Sequence, residues 1–168
     1  LGIGFPAVLA YQSISQRDLV LETVNSNRLA IADMIAAQAV GGVKFKKSDA
    51  IAKVYTRYLE SDTSALSTIA VYGIDDAVLS SGARGKASID LNALMPMAKP
   101  KVEDGKVFIR STAHNFIVFA PIMDGAEGRR VGTLAMAWIN DALLSEISGH
   151  LWVGIGISAA IAGALIAG

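Results

Sequence analysis

No cysteine occurs among the 168 residues. That removes disulfide frameworks, thiolate metal sites and cysteine nucleophiles together. Histidine is almost as scarce. His114 and His150 are the only two, set too far apart for zinc-ligand spacing. Phosphate-binding glycine loops and nucleophile elbows are also missing. No basic run is present, and 15 Lys plus Arg balance 15 Asp plus Glu to a formal net charge of +0. A nucleic-acid binder needs clustered cations against phosphates, so that class is excluded. There is no internal repeat and no low-complexity tract. These absences argue against an enzyme, and they imply neither a metal nor a cofactor.

Charge is also absent from both ends of the chain. The first charged residue is Arg17 and the last is Glu146, while 52% of all residues are hydrophobic. Mean hydropathy is correspondingly high, at +0.45. Residues 151–168 carry no charge, with Ser158 their one hydroxyl side chain, and begin Leu-Trp-Val-Gly-Ile-Gly. At about 1.5 Å per residue they span about 27 Å, close to a bilayer's hydrocarbon thickness. They read as the start of a transmembrane helix, with Trp152 as interfacial anchor and Gly154, Gly156 and Gly163 suited to close helix approach. The competing reading is a buried core helix. Residues 1–11 are too short to cross alone and read as the end of a first transmembrane segment, a signal-sequence remnant being the other option. The domains expected are thus 1–11, a polar domain over 12–150, and 151–168.

Within that middle, residues 12–40 lack Pro and Gly and place Ile14, Arg17, Leu21, Val24, Arg28, Ile31, Ile35 and Gln38 at heptad spacing. A second apolar stripe of Val20, Val24, Ile31 and Met34 runs beside it. Such a helix can cover its own domain and meet a partner helix, although Arg17 and Arg28 weaken a plain coiled coil. Gly41-Gly42 is expected to end it. Ser48 is expected to cap a helix over 49–60. Residues 67–74 and 77–81 read as a hairpin about Asp75-Asp76. The stretch 82–106 reads as a long connection with a short helix at 90–98. Strands follow at 106–112, 116–123 and 130–139, and Asn140 or Asp141 caps an exit helix. The fold class expected is α+β: a long N-terminal helix and a five-stranded antiparallel sheet, with helices on one side.

Phe116-Ile-Val-Phe-Ala-Pro-Ile-Met-Asp-Gly, the later Val131-Gly-Thr-Leu, and the strand–Asp75-Asp76–strand hairpin resemble a single Cache domain. This family comprises PAS-like extracytoplasmic sensors of bacterial receptors. The resemblance spans about residues 12–150, and its motifs are of the fold, none of them catalytic. It implies a PAS-like sheet, flanking transmembrane segments, and a small ligand held between the sheet and the insertion at 82–106. Among hosts of such domains it is nearest to methyl-accepting chemotaxis receptors, with histidine kinases and cyclases as the alternatives.

Candidate ligand-binding residues follow. Arg110 shares a strand face with Phe108 and Thr112, and its guanidinium suits a small carboxylate. The competing reading is a solvated Arg. Tyr72 lies mid-strand and offers a hydroxyl, or else packs in the core. Tyr55 and Tyr58 lie one turn apart on the second helix. In the family that helix packs over the sheet, which would let either line the pocket, with core packing as the rival. His114 falls at a turn tip, where plain exposure competes with ligand contact. Lys44, Lys46 and Lys47 read as a solvated basic loop or a contact for anionic headgroups. Met95, Met97 and Met123 read as gap-filling core residues.

The function expected is a ligand-sensing domain of a membrane-anchored chemoreceptor, periplasmic in location. Its partners are a small molecule, the membrane and a second copy bound through residues 14–38. Ligand would close the insertion over the sheet and move the helix entering 151–168. A pilin-like structural subunit is disfavoured by the apolar carboxyl end. A domain that binds a partner protein would instead fill its pocket with its own side chains.

Overall fold

The computed structural model describes residues 4–61, 65–85, 88–125 and 128–141, with the helix backbone alone given for 4–14. The chain divides into two compact units, one of them Ser26–Asn140 and the other Leu1–Asn25 with Asp141–Gly168. In the second unit the described part is Asp141 and the amino-terminal stretch of one helix, where Leu19 and Val20 are exposed and the Thr23 hydroxyl donates to the Leu19 carbonyl at 3.0 Å. Among the described residues no helix is long and apolar enough to cross a membrane. The span read at 151–168 lies outside them, as does the exit helix beyond Asp141.

The long helix, α1, runs Gly4–Lys44 without a break. It therefore passes through Gly41-Gly42, where the sequence suggested a stop. Gly42 is retained inside the helix for close approach: a Cβ there would sit 2.7 Å from Ile51 Cγ1. The helix ends instead on Lys46, which takes a left-handed φ of 51°. Lys46 N–H donates to the Val43 carbonyl at 3.1 Å and Lys47 N–H to the Gly42 carbonyl at 2.8 Å. This pair of bonds is a Schellman cap with a lysine in place of the usual glycine. Helix α2 (Ser48–Glu60) follows, and its N-cap position is Lys47, which makes no side-chain cap.

The sheet comprises β1 (Leu66–Gly73), β2 (Val78–Ala83), β3 (Phe108–Ser111), β4 (Asn115–Asp124) and β5 (Arg129–Ile139). All neighbours pair antiparallel, in the order β2-β1-β5-β4-β3. The α+β class and the five-stranded antiparallel sheet expected from the alternation of residues are present. Asp75 and Asp76 form the β1–β2 turn, with Asp76 at φ 61°. Their carboxylates diverge. Asp75 Oδ1 accepts from Ala77 N–H at 3.3 Å, whereas Asp76 Oδ2 meets Lys99 Nζ at 2.6 Å.

Helices cover both faces of the sheet, not one. On the first face, Ala32, Ile35, Ala39 and Val43 of α1 and Ile51 and Tyr55 of α2 bury Ile69, Val71, Val118, Ile122, Leu134 and Trp138. On the other, α3 (Leu91–Glu103) presents Leu91, Met95, Ala98 and Val102, at steps of three and four, to Ala70, Tyr72, Ile117, Phe119 and Ala135. This helix is longer than the one expected at 90–98. Pro96 and Pro100 lie inside it, on its exposed side, and the apolar stripe carries the helix past them. Asp90 caps its start, accepting from Ala93 N–H at 3.2 Å. Of the three methionines read as core, Met95 is buried, but Met97 and Met123 are exposed.

Candidate ligand-binding site

Because strand side chains alternate, β1 sends Ala70 and Tyr72 to the α3 face and Ile69 and Val71 to the α1 face. Thr68, Ala70 and Tyr72, with Val78, Ser81 and Ala83 of β2, floor a recess of about 360 Å³. Its wall is Ser88 to Asn92, the lead-in and first turn of α3. That volume falls within the range of small-molecule pockets.

Tyr72 is the anchor of this recess. It is 1% exposed, and its hydroxyl donates to Asn92 Oδ1 at 2.8 Å. Burial, with the Asp90 carboxylate adding to it, pushes the phenol up to about 12, so it stays a neutral donor at physiological pH. Thr68 Oγ1 accepts from Ile89 N–H at 3.1 Å and fixes the segment entering α3 to the sheet. Asp90 is the one charged side chain among the described residues that line the recess. Among the described residues the site therefore offers hydroxyls, a carboxamide and a carboxylate, and no cation.

The other candidates lie elsewhere. Arg110 is on β3, opposite Ile117 and so on the α3 face, but exposed at the far edge of the sheet. Three strand spacings of about 4.8 Å place it about 14 Å from β1. Arg110 therefore does not line the recess that holds Tyr72. Tyr55 and Tyr58 sit on the α1 face. Tyr55 is buried, with its hydroxyl 2.8 Å from Ser80 Oγ. Tyr58 OH accepts from Arg57 Nη2 at 2.8 Å, and the Arg57 guanidinium lies 4.7 Å from its ring centroid. Both tyrosines are separated from Tyr72 by the sheet itself. His114 is exposed in the β3–β4 turn, and its backbone carbonyl accepts from Asn140 N–H at 2.6 Å. Among the described residues no group of His, Asp and Glu could hold a metal ion.

The role of two polar residues was not visible in the sequence. Asn92 was not singled out, although an Asn within the first turn of a helix facing a strand tyrosine is its only visible signal. Arg28 is the other. It is 4% exposed, with its guanidinium 5.8 Å from the Phe116 ring and 5.6 Å from the Trp138 ring. Burial lowers its pKa from 12.5 to about 10, which still leaves it charged.

No protein-family model matches the chain, and no curated protein matches it. Among solved structures, the sensor domain of DcuS from E. coli is similar at 18% identity and a TM-score of 0.46, over 76% of this chain and 94% of that one. MglC from Myxococcus xanthus is similar at 14% identity and a TM-score of 0.34, over 58% of this chain and 95% of that one. At these levels neither likeness assigns a ligand or an output.

Proposed function

We propose that residues 26–140 form the ligand-sensing module of a signalling protein, non-catalytic, with a small polar ligand held between the β1–β2 edge and the start of α3. The observation that carries this is the recess at Tyr72, where a buried neutral phenol, Asn92 and Asp90 converge beside a floor that mixes Ala70, Val78 and Ala83 with the hydroxyls of Thr68 and Ser81. A long amino-terminal helix over a five-stranded antiparallel sheet, with a helical insertion after the second strand, is also the arrangement that the Cache resemblance implies. The Asp90 carboxylate favours a ligand bearing an amine or hydroxyls over a carboxylate, which it would repel.

The wider reading places this module outside the cytoplasm, anchored by the apolar segments at either end of the sequence. A second copy would join along α1, where Leu19, Val20 and Met34 are exposed. The output is that of a chemoreceptor, a histidine kinase or a cyclase, and the sensing role is common to all three.

The test is a thermal-shift screen of the 168-residue chain in detergent against amines, polyols and carboxylates. Stabilisation by an amine or polyol class, lost in both Tyr72→Phe and Asn92→Leu, is the expected result, since a ligand that binds the native state raises its melting temperature. A shift that survives both substitutions removes the recess from the reading. No shift from any class removes small-ligand sensing.

A further inference from the structure

Two helices share the face of the sheet opposite α3, and together they stop short of its last strand. Helix α2 lies over β1 and β2, where the Tyr55 hydroxyl reaches Ser80. Helix α1 lies over β4 and β5, where the Arg28 guanidinium rests on Phe116 and Trp138. A helix is about 10 Å across and covers about two strands at a spacing of about 4.8 Å, so β3 is left over. Val107 and Ile109 are accordingly 42% and 43% exposed.

The gap is a trough of about 380 Å³. Leu29 and Ala30 of α1 form one wall, Val107 and Ile109 the other, and Val118 with Ala120 of β4 the floor. Asp33, exposed at the rim on α1, is the one polar side chain among the described residues that line it. Its carboxylate has no hydrogen bond or ion pair to any described residue. On its own helix the neighbours three and four positions away are Leu29, Ala30, Ala36 and Ala37, none able to answer a charge. The trough lies across the sheet from Tyr72 and shares no lining residue with that recess.

We propose that this trough is a second binding site, for a small lipophilic primary amine. The apolar walls take the hydrocarbon tail, and the ammonium stays at the wet rim against Asp33. An alcohol of the same shape gains no ion pair there, and a carboxylic acid meets like charge. Length favours a small molecule over a helix of another protein, since β3 has four residues and spans about 13 Å. A second copy set alongside α1 in the same direction brings Asp33 no partner, because residues 29–43 contain no lysine or arginine. The site is independent of the Tyr72 reading, since neither set of residues serves the other.

The test is a titration of the methyl-labelled 168-residue chain in lipid nanodiscs, which leave no free detergent to fill an apolar trough. The probes are phenethylamine, phenethyl alcohol and phenylpropionate, followed by carbon–proton correlation spectra. Methyls of Ile109 and Val118 report the trough, and those of Thr68 and Ala70 the Tyr72 recess. Saturable shifts of Ile109 and Val118 with the amine are expected, with the alcohol and the acid at least about fivefold weaker. Asp33→Asn should weaken amine binding about fivefold, to the level of the alcohol, and leave the alcohol unchanged. Ala30→Leu, which fills the trough from an exposed helix position, should weaken both about tenfold, and Tyr72→Phe neither. Absence of a saturable shift at Ile109 and Val118 by about 10 mM amine overturns the proposal. So does an equal response to the acid, a response unaltered in Asp33→Asn, or shifts confined to Thr68 and Ala70. Shifts at Ile109 that follow protein concentration without amine give the trough to a second copy and overturn it too.

Discussion

Arg28 Nη1 donates to Asn140 Oδ1 at 2.7 Å, joining residues 112 positions apart. The bond fastens α1 to the residue that follows β5, and the rings of Phe116 and Trp138 lie against the same guanidinium. Asn140 is itself buried, so its side chain has no solvent alternative. Asn140→Ala takes an acceptor from a buried charge and should cost about 2 kcal/mol. Arg28→Met removes the charge together with its desolvation penalty and should cost less, about 1 kcal/mol. Urea unfolding followed by circular dichroism checks both the values and their order.

Tyr72 gives a pH signature. Its folded pKa, about 12, stands above the ordinary 10.0. A phenol raised in this way contributes stability that is complete below pH 10 and is lost as pH rises toward 12. Alkaline titration should therefore show steeper loss of stability in the native protein than in Tyr72→Phe. The same variant should remove a phenolate absorbance step near pH 12, leaving the region of pH 10 unchanged. Near neutrality it should cost only about 1 kcal/mol, because Asn92 is exposed and rehydrates.

Gly132 pairs with Gly73 on one side and Ile122 on the other, and a Cβ there would overlap the Tyr72 carbonyl oxygen and lie 2.8 Å from Val43 Cγ1. Backbone cannot yield as a side-chain tip can. Gly132→Ala should destabilise by about 2–3 kcal/mol, measured by thermal unfolding.

Asp124 is buried at the end of β4, bonded to Lys44 from across the α1 face. Asp124→Asn keeps the shape but removes the charge opposite Lys44. A loss of about 1–2 kcal/mol is expected, more than an exposed pair would give. The comparison is Lys106→Ala, which deletes an exposed pair with Asp104 and should change stability by less than about 0.5 kcal/mol.

The strands were legible because they are rich in β-branched and aromatic residues and are bounded by turn residues such as Asp75-Asp76, although only β1, β4 and β5 are buried on both faces. What the residues of one strand could not show is which helix covers which face. Tyr72 was placed rightly on its strand, but Tyr55 and Tyr58 were set beside it although α2 packs behind the sheet. Arg110 looked singular among apolar neighbours, yet on the edge strand Ile109, Arg110 and Ser111 are all exposed without any ligand. Gly41-Gly42 was read as a stop from local propensity, and the insertion helix was bounded at 90–98 where it runs Leu91–Glu103. Tertiary contact with Ile51 and with the sheet overrode that propensity. Arg28 was read as a flaw in a helical seam, since its aromatic partners Phe116 and Trp138 lie 88 and 110 residues downstream.

Pro96 and Pro100 each lack the amide hydrogen that a helix interior uses, and each lowers intrinsic helix stability by about 3 kcal/mol. A thirteen-residue segment so handicapped would not stay coiled in water by itself. Its coiled state is lent to it by Leu91, Met95, Ala98 and Val102 against the sheet. Undocking and melting of α3 are then a single event, so amide exchange along residues 91–103 reads how often the wall of the Tyr72 recess comes away.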